Sequence, residues 1–429
     1  MEAVLILLFL IGYGTIAFEH VLKVNKAGTA LCMGALCWTA YILFAGSGSM
    51  ETVLEQMNEE LSSIAGILLF LIGAMTIVEV VDAHDGFRLI TDAIHATGKR
   101  SLLWIISLIT FFLSATLDNL TTTIVMMSLI AKLVGSREDR LIFVSMVVIA
   151  ANAGGAWSPI GDVTTTMLWM GKQISAGPIV ARLFIPSLLS VLVPLTAFSL
   201  SMKGAVSPPA DSEGQHAVML PKHVRNIVFL MGIGILLCVP VFKAVTHLPP
   251  YVGMMLGVGI LWLYTGILYR KHRGGRLKER LSVTRALHEI QLSTILFFLG
   301  ILFCIGCLQH AGILAHMARW LDRLTDSQSV IVMIIGCVSS VIDNVPLVAA
   351  AQGMYTFPTN HFFWEFLAYA AGTGGSMLII GSAAGVAAMG QEKINFIWYL
   401  KHVSGWALLG YLTGSFAYIF LYHLIYASM

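Results

Sequence analysis

The sequence predicts an all-α polytopic membrane protein built from two inverted-topology repeats with re-entrant hairpins and broken helices. Three observations predict it. The first is composition: of 429 residues, 57% are hydrophobic and 11% charged, against roughly 45–50% and about 25% in a soluble domain, and the mean hydropathy is +0.84. A soluble domain of this size buries only about three quarters of its surface, so so much apolar material needs a bilayer as solvent. Secreted or cytosolic enzymes, nucleic-acid binders and disordered chains are excluded. The second observation is a series of apolar runs near the roughly 20 residues that span a membrane as helix. The third is that the order of these runs recurs in the second half of the chain, with polar interruptions at matched places.

Taken in order, uninterrupted spans are expected at 3–22, 27–45, 61–82, 180–202, 226–243, 250–268, 289–308 and 403–425. The first lacks a basic flank and a small-residue cleavage site, so it reads as a retained helix rather than a signal peptide. Residues 46–60, with four Glu and no Lys or Arg, read as a short amphipathic outer element. Four further apolar regions are broken: 101–134 at Asp118-Asn119, 141–170 between Asn152 and Asp162, 329–352 at Asp343-Asn344, and 365–391 between Gly372 and Ser376. Unpaired backbone is costly in hydrocarbon, so such breaks survive only inside protein or along a polar cavity. The six cysteines all fall in apolar runs, which implies no disulfide framework, and Cys304-x-x-Cys307 reads as two small apolar residues one turn apart.

The list folds onto itself. Ser114 to Asn119 matches Ser339 to Asn344 at an offset of 225, and Gly154-Gly155 with Gly161 match Gly374-Gly375 with Gly381 at an offset of 220. Phe70 to Gly73 matches Phe297 to Gly300, and His84-x-Gly86 matches His310-x-Gly312. Several matches in register define repeats: residues 1–202 are repeat 1, 203–225 a cytoplasmic linker carrying Ser207-Pro-Pro and Asp211-Ser-Glu213-Gly, and 226–429 repeat 2. With the N-terminus outside and each broken hairpin returning to its own side, 20 of the 25 Lys and Arg lie inside, including the cluster Arg270 to Arg285; only Lys172, Arg182, Lys243, Arg319 and Arg323 lie outside. The repeats then have opposite orientation, the plan of many secondary transporters, with substrate sites at the repeat interface.

Asp118 and Asp343 sit deep in apolar segments, where an acid is a functional candidate by default; each also precedes a second helix that it can cap. Asn119 and Asn344 add neutral carbonyl oxygens, while Thr121 to Thr123 in repeat 1 face Pro346 in repeat 2, so the copies differ. The second break, Asn152-Ala-Gly-Gly-Ala-Trp-Ser158-Pro159-Ile-Gly161-Asp162-Val-Thr164-Thr165-Thr166, is expected to unwind at its glycines and Pro159. Its partner, from Gly372 through Ser376 to Ser382, has hydroxyls and no acid. An all-oxygen set suits a hard cation such as Na+ or Li+. Glu19, Glu79, Glu289 and Glu365 near helix ends read as interfacial, and His84, His288, His310 and His402 as solvated span ends.

These motifs resemble the NhaD-type sodium/proton antiporters of the ion transporter superfamily, whose relatives include arsenite-exporter-like and dicarboxylate transporters; the resemblance covers essentially the whole chain. It implies exchange of Na+ or Li+ for H+, carried by Asp118, Asn119, Asn152, Asp162, Thr164, Thr165, Ser339, Asp343, Asn344 and Ser376, with Asp118, Asn119, Asp343 and Asn344 as the Na+ ligands. It also implies a mobile transport domain beside a dimerising scaffold, hence a homodimer. No enzyme activity and no cofactor are expected beyond the transported ions. The partners expected are small inorganic cations and the lipid of an inner (plasma) membrane, with no nucleic acid. Competition of Na+ and H+ for shared carboxylates would couple the two flows. The rivals on the same fold are an oxyanion exporter and a Na+-coupled dicarboxylate symporter, but no Lys or Arg lies within the broken segments away from their ends. An intramembrane aspartyl protease, which pairs Tyr-Asp with Gly-x-Gly-Asp, fits poorly: both acids here are Asp-Asn, and Gly161-Asp162 lacks the first glycine.

Overall fold

A computed structural model describes residues 1–17, 22–45, 50–91, 94, 98–206, 221–270, 281–325 and 327–426. Glu19, the linker motifs at Ser207 and Asp211, and Lys271, Arg273, Arg276, Lys278 and Arg280 lie outside the described residues. A chain in hydrocarbon must satisfy its backbone within each segment. Accordingly, the regular structure among the described residues is helical, apart from one isolated bridge between Gly98 and Ala205. Eight helices among them are long and apolar enough to cross a membrane.

The first half comprises α1 (Glu2–Ala17), α2 (Lys26–Ala45), α3 (Met50–Ala83), the single turn α4 (Arg88–Thr91), α5 (Lys99–Ser114), α6 (Asn119–Leu133), α7 (Arg137–Ala156), α8 (Val163–Met170) and α9 (Ala176–Ser201). The second half comprises α10 (Lys222–Thr246), α11 (Pro250–Leu268), α12 (Val283–Glu289), α13 (Leu292–His310), α14 (Ile313–Leu324), α15 (Gln328–Val338), α16 (Asn344–Met354), α17 (Phe362–Gly374), α18 (Ala383–Glu392), α19 (Phe396–His402) and α20 (Ser404–Leu421), which ends in a π turn over Tyr422–Tyr426. Short helices aside (α4, α12, α14 and α19), in both halves three long helices (α1–α3; α10, α11 and α13) precede a broken hairpin (α5/α6 and α15/α16), a broken helix (α7/α8 and α17/α18) and a last helix (α9 and α20). The broken helices form the centre of the molecule: α7 is buried from Phe143 to Ala156, and every residue of α17 is buried. Leu200, Val245, Leu263 and Ile267 lie on the exposed apolar exterior that lipid would cover.

The two offsets found in the sequence reappear as matched contacts. A β-carbon on Gly154 would overlap the Phe111 carbonyl oxygen, and one on Gly374 would overlap that of Gly336. At Gly161 it would meet the Ser114 oxygen at 2.5 Å, and at Gly381 the Ser339 oxygen at 2.6 Å. The hydroxyls of Ser114 and Ser339 donate to the carbonyls of Ala151 and Ala371, at 2.6 and 2.8 Å. In each half, then, glycine lets the hairpin lie directly on the broken helix. Alanine at Gly154 or at Gly374 is expected to destabilise the protein by a similar amount, about 1–3 kcal/mol, read as the thermal midpoint of the purified protein; a loss at one position only would break the equivalence.

Several expectations are corrected. Residues 50–60 are not a separate element: they extend the third span into one 34-residue helix. The break in 141–170 begins later than expected, because Asn152 to Ala156 remain helical and the chain leaves the helix only between Trp157 and Asp162. Likewise Gly372 to Gly374 are helical, and the second break runs from Gly375 to Ser382. The glycines serve close packing, and the unwinding falls on the residues beyond them. α14 has no counterpart among the expected elements; it is amphipathic and, at 12 residues, too short to span.

Candidate functional site

Four half-helices begin at the middle of the molecule, and each start is capped by a side chain. Asp118 accepts from the Thr121 amide (2.9 Å), Asp162 from that of Thr164 (2.8 Å), Asp343 from that of Val345 (3.3 Å) and Ser382 from that of Gly385 (3.1 Å). The first amides of a helix have no intrahelical acceptor, which is why Asp and Ser recur at these positions. Thr121 adds its hydroxyl to Asp118 at 2.5 Å, so this carboxylate is tied to its own helix through both oxygens.

Asp162 is the hub. It is 2% exposed and collects amides from both hairpins: Asn119 Nδ2 donates at 2.7 Å, and Asn344 Nδ2 lies 3.3 and 3.4 Å from its two oxygens. The Thr164 hydroxyl adds a bond at 2.8 Å. The rest of the network follows in one sense only. Because Asn119 turns its NH2 to the carboxylate, Asn152 presents Oδ1 to that same NH2 (3.0 Å) and gives its own NH2 to Ser376 Oγ (2.9 Å) and Ser382 Oγ (2.8 Å). A chain of polar contacts therefore runs from the first hairpin through Asp162 and Asn152 to the second break.

Asn119, Asn152, Asp162, Thr164, Asn344 and Ser376 are thus joined directly. Asp118 and Asp343 are half-buried beside this centre, each capping its own half-helix, and it is Asp162 that both hairpin amides reach. Thr165 donates to the Asp162 carbonyl at 2.9 Å, and Ser339 holds the hairpin to α17 through Ala371; both act on the backbone of the site. Ser382 was missed as a site residue, although its signal was present: adding the 220 offset to Asp162 lands on it. Among the described residues no group of three or more His, Cys, Asp or Glu could hold a metal ion.

A cavity of about 60 Å³ lies beside Asp118, bounded by α3, α10, α11 and α13 and reaching Asn119 and Asp162. Three peripheral readings change. Glu365 is not interfacial: it is fully buried, 2.7 Å from the Arg182 guanidinium, and accepts the Tyr418 hydroxyl at 3.0 Å. His84 is not a solvated span end; it is fully buried, and its Nδ1 bonds the Val80 carbonyl at 2.7 Å. His310 pairs with Glu60 at 3.3 Å.

A family profile described as a citrate transporter matches residues 3–364. Sodium/proton antiporter 1 of Arabidopsis thaliana is 48% identical over 428 residues, covering 99% of this chain and 73% of that protein. The Na(+)/H(+) antiporter NhaD of Vibrio cholerae is 32% identical, covering 97% and 91%. Among solved structures, the YdaH transporter of Alcanivorax borkumensis superposes with a TM-score of 0.53 at 13% identity, covering 88% of this chain and 89% of that one, and so shares the fold. With a profile match over most of its length and relatives of this similarity, the chain belongs to the NhaD-type sodium/proton antiporters, multi-pass membrane transporters within the citrate-transporter family.

Proposed function

We propose that the protein exchanges Na+, and also Li+, for H+ by alternating access, and that the ions compete at Asp162 between Asn119 and Asn344. The observation that carries this reading is the convergence of one buried carboxylate with an amide from each hairpin. Charge counting supports a monovalent ion. Four helix N-termini contribute roughly half a positive charge each, against the three carboxylates of Asp118, Asp162 and Asp343, leaving a deficit of about one charge. Without a cation the amide NH2 groups steady the carboxylate. With Na+ bound, rotation of Asn119 and Asn344 would bring their Oδ1 atoms to the ion, since each amide offers either polarity. A proton on Asp162 removes the charge that holds Na+, and that is the coupling.

Asp118 and Asp343 then set the electrostatics on the two sides of the hub. Asn152, Ser376 and Ser382 hold the second break against it, and Thr164, Thr165 and Ser339 fix the backbone. The citrate reading that the family's description raises would need cations, and among the described residues no Lys or Arg lines the cavity or touches the hub. The bias of Lys and Arg supports a plasma-membrane orientation with the N-terminus outside.

The test uses everted membrane vesicles holding an acid-inside pH gradient and a pH-sensitive dye. Rapid alkalinisation on adding Na+ or Li+, but not citrate, is expected; a response to citrate alone would overturn the proposal. Asn119→Ala and Asn344→Ala are each expected to raise the Na+ concentration for half-maximal exchange about tenfold, from the loss of one polar contact of about 1–1.5 kcal/mol. An unchanged Na+ dependence in both would remove the amides from the site.

A further inference from the structure

Of the Lys and Arg that the expected topology leaves on its cation-poor side, Arg182 pairs with Glu365, and Lys243 donates to the Trp169 carbonyl at 2.8 Å. Arg319 and Arg323 are different. Both are exposed on α14, and among the described residues neither has an ion-pair partner; the acid of that helix, Asp322, accepts the Tyr355 hydroxyl at 3.2 Å. At about 100° per residue, α14 presents three faces. Leu314 and Ala318, both buried, fall on the first. Met317, Trp320 and Leu324 fall on the second and are 41, 58 and 63% exposed. His316, Arg319 and Arg323 fall on the third, next to the apolar exposed face. Protein on one side, hydrocarbon on the next and a polar phase on the third is the arrangement of a helix lying in a membrane interface, with Trp320 at headgroup level.

We propose that Arg319 and Arg323 bind the phosphate of an anionic phospholipid whose acyl chains lie along Met317, Trp320 and Leu324. The two arginines are one helical turn apart on the same face, and each guanidinium fork fits a pair of phosphate oxygens. A zwitterionic headgroup carries an ammonium that offsets its phosphate, so two unpaired cations select the anionic lipid. A soluble phosphate would make no use of the apolar face beside the arginines. The site bears on the second hairpin. Leu314 lies against Gly353 near the end of α16, and Asp322 holds Tyr355 just beyond it. Because α16 begins at Asn344, a headgroup fixed on α14 braces the hairpin whose amide reaches Asp162. The lipid site itself does not depend on the exchange reading.

The purified full-length protein is titrated in detergent with dioleoylphosphatidylglycerol, and binding is read as the rise in thermal midpoint against the mole fraction of lipid in the micelles. Dioleoylphosphatidylcholine supplies the same chains without net charge, and glycerol phosphate the phosphate without chains. Phosphatidylglycerol alone is expected to raise the midpoint. A surface arginine contributes about fivefold to the affinity for anionic lipid, so Arg319→Gln with Arg323→Gln should weaken binding about 25-fold. Both side chains are exposed, and the double variant should melt like the parent in lipid-free detergent. Native mass spectrometry should show it retaining one phosphatidylglycerol fewer than the parent, while other basic segments keep theirs. An equal rise with phosphatidylcholine, an equal rise with glycerol phosphate, or no rise with any of the three would each overturn the proposal. A double variant that binds phosphatidylglycerol as tightly as the parent would place the lipid elsewhere and overturn it too. Amide hydrogen exchange over 344–356 should slow with phosphatidylglycerol in the parent and not in the double variant. Unaltered exchange in both would refute the bracing and leave the lipid site standing.

Discussion

Asp162→Asn is expected to abolish Na+-driven exchange while leaving the protein folded. The side chains are nearly isosteric, and the cap of α8 survives through the amide oxygen, so membrane yield and thermal midpoint should change little. What goes is the one charge that Asn119, Asn344 and Thr164 converge upon. A single charge-assisted contact is worth roughly 1.5–3 kcal/mol, and more than one is lost with the charge, so the initial rate should fall at least ~100-fold. Asp118→Asn and Asp343→Asn should have smaller effects, because each of those carboxylates is bound to its own half-helix and neither receives an amide from the other hairpin. Initial rates of Na+-dependent alkalinisation, normalised to protein in the vesicles, give the ranking. An Asp162→Asn variant as active as the parent would transfer the role to the two flanking acids.

Arg182→Ala is expected to be the most destabilising single change where α9 meets α17. It strands Glu365, which is fully buried in the first turn of α17, and breaks a contact that ties α9 to the helix leading to Ser376. Removing one partner of a buried ion pair typically costs 3–5 kcal/mol, more than the pair contributes over an apolar replacement. The double variant Arg182→Ala, Glu365→Gln should therefore recover much of the loss, because the neutral amide needs no counter-charge. Thermal unfolding of the purified variants measures this, and a double variant no better than the single would contradict it.

Much of the architecture is legible in the sequence because bilayer thickness dictates span length: Pro250–Leu268 coincides with an expected span to the residue. The breaks are legible to within a few residues. Their glycines resemble unwinding signals, yet Gly154 and Gly374 are helical and small for the sake of a neighbouring backbone. Most members of the polar network around Asp162 are legible as candidates, but not which of them the amides converge on. Duplication draws attention to Asp118 and Asp343, whereas the residue on which the amides converge occurs once, its counterpart at the same offset being Ser382. Arg182 and Glu365 are 183 positions apart, and no local pattern joins them. The amphipathic period of α14 is present in Leu314, Ala318 and Leu321 but falls between two runs of spanning length.

The central claim is that Na+ and H+ exclude each other at one buried carboxylate. It is tested most directly by measuring, in everted vesicles, the Na+ concentration for half-maximal exchange at a series of pH values with maximal rates obtained at saturating Na+. Competition predicts that this concentration rises as pH falls, approaching tenfold per pH unit once the carboxylate is mostly protonated, because one proton must leave for each Na+ bound, while the maximal rate stays constant. A half-maximal concentration independent of pH, with the maximal rate falling instead, would place the proton on a different group from the sodium ion and contradict the account.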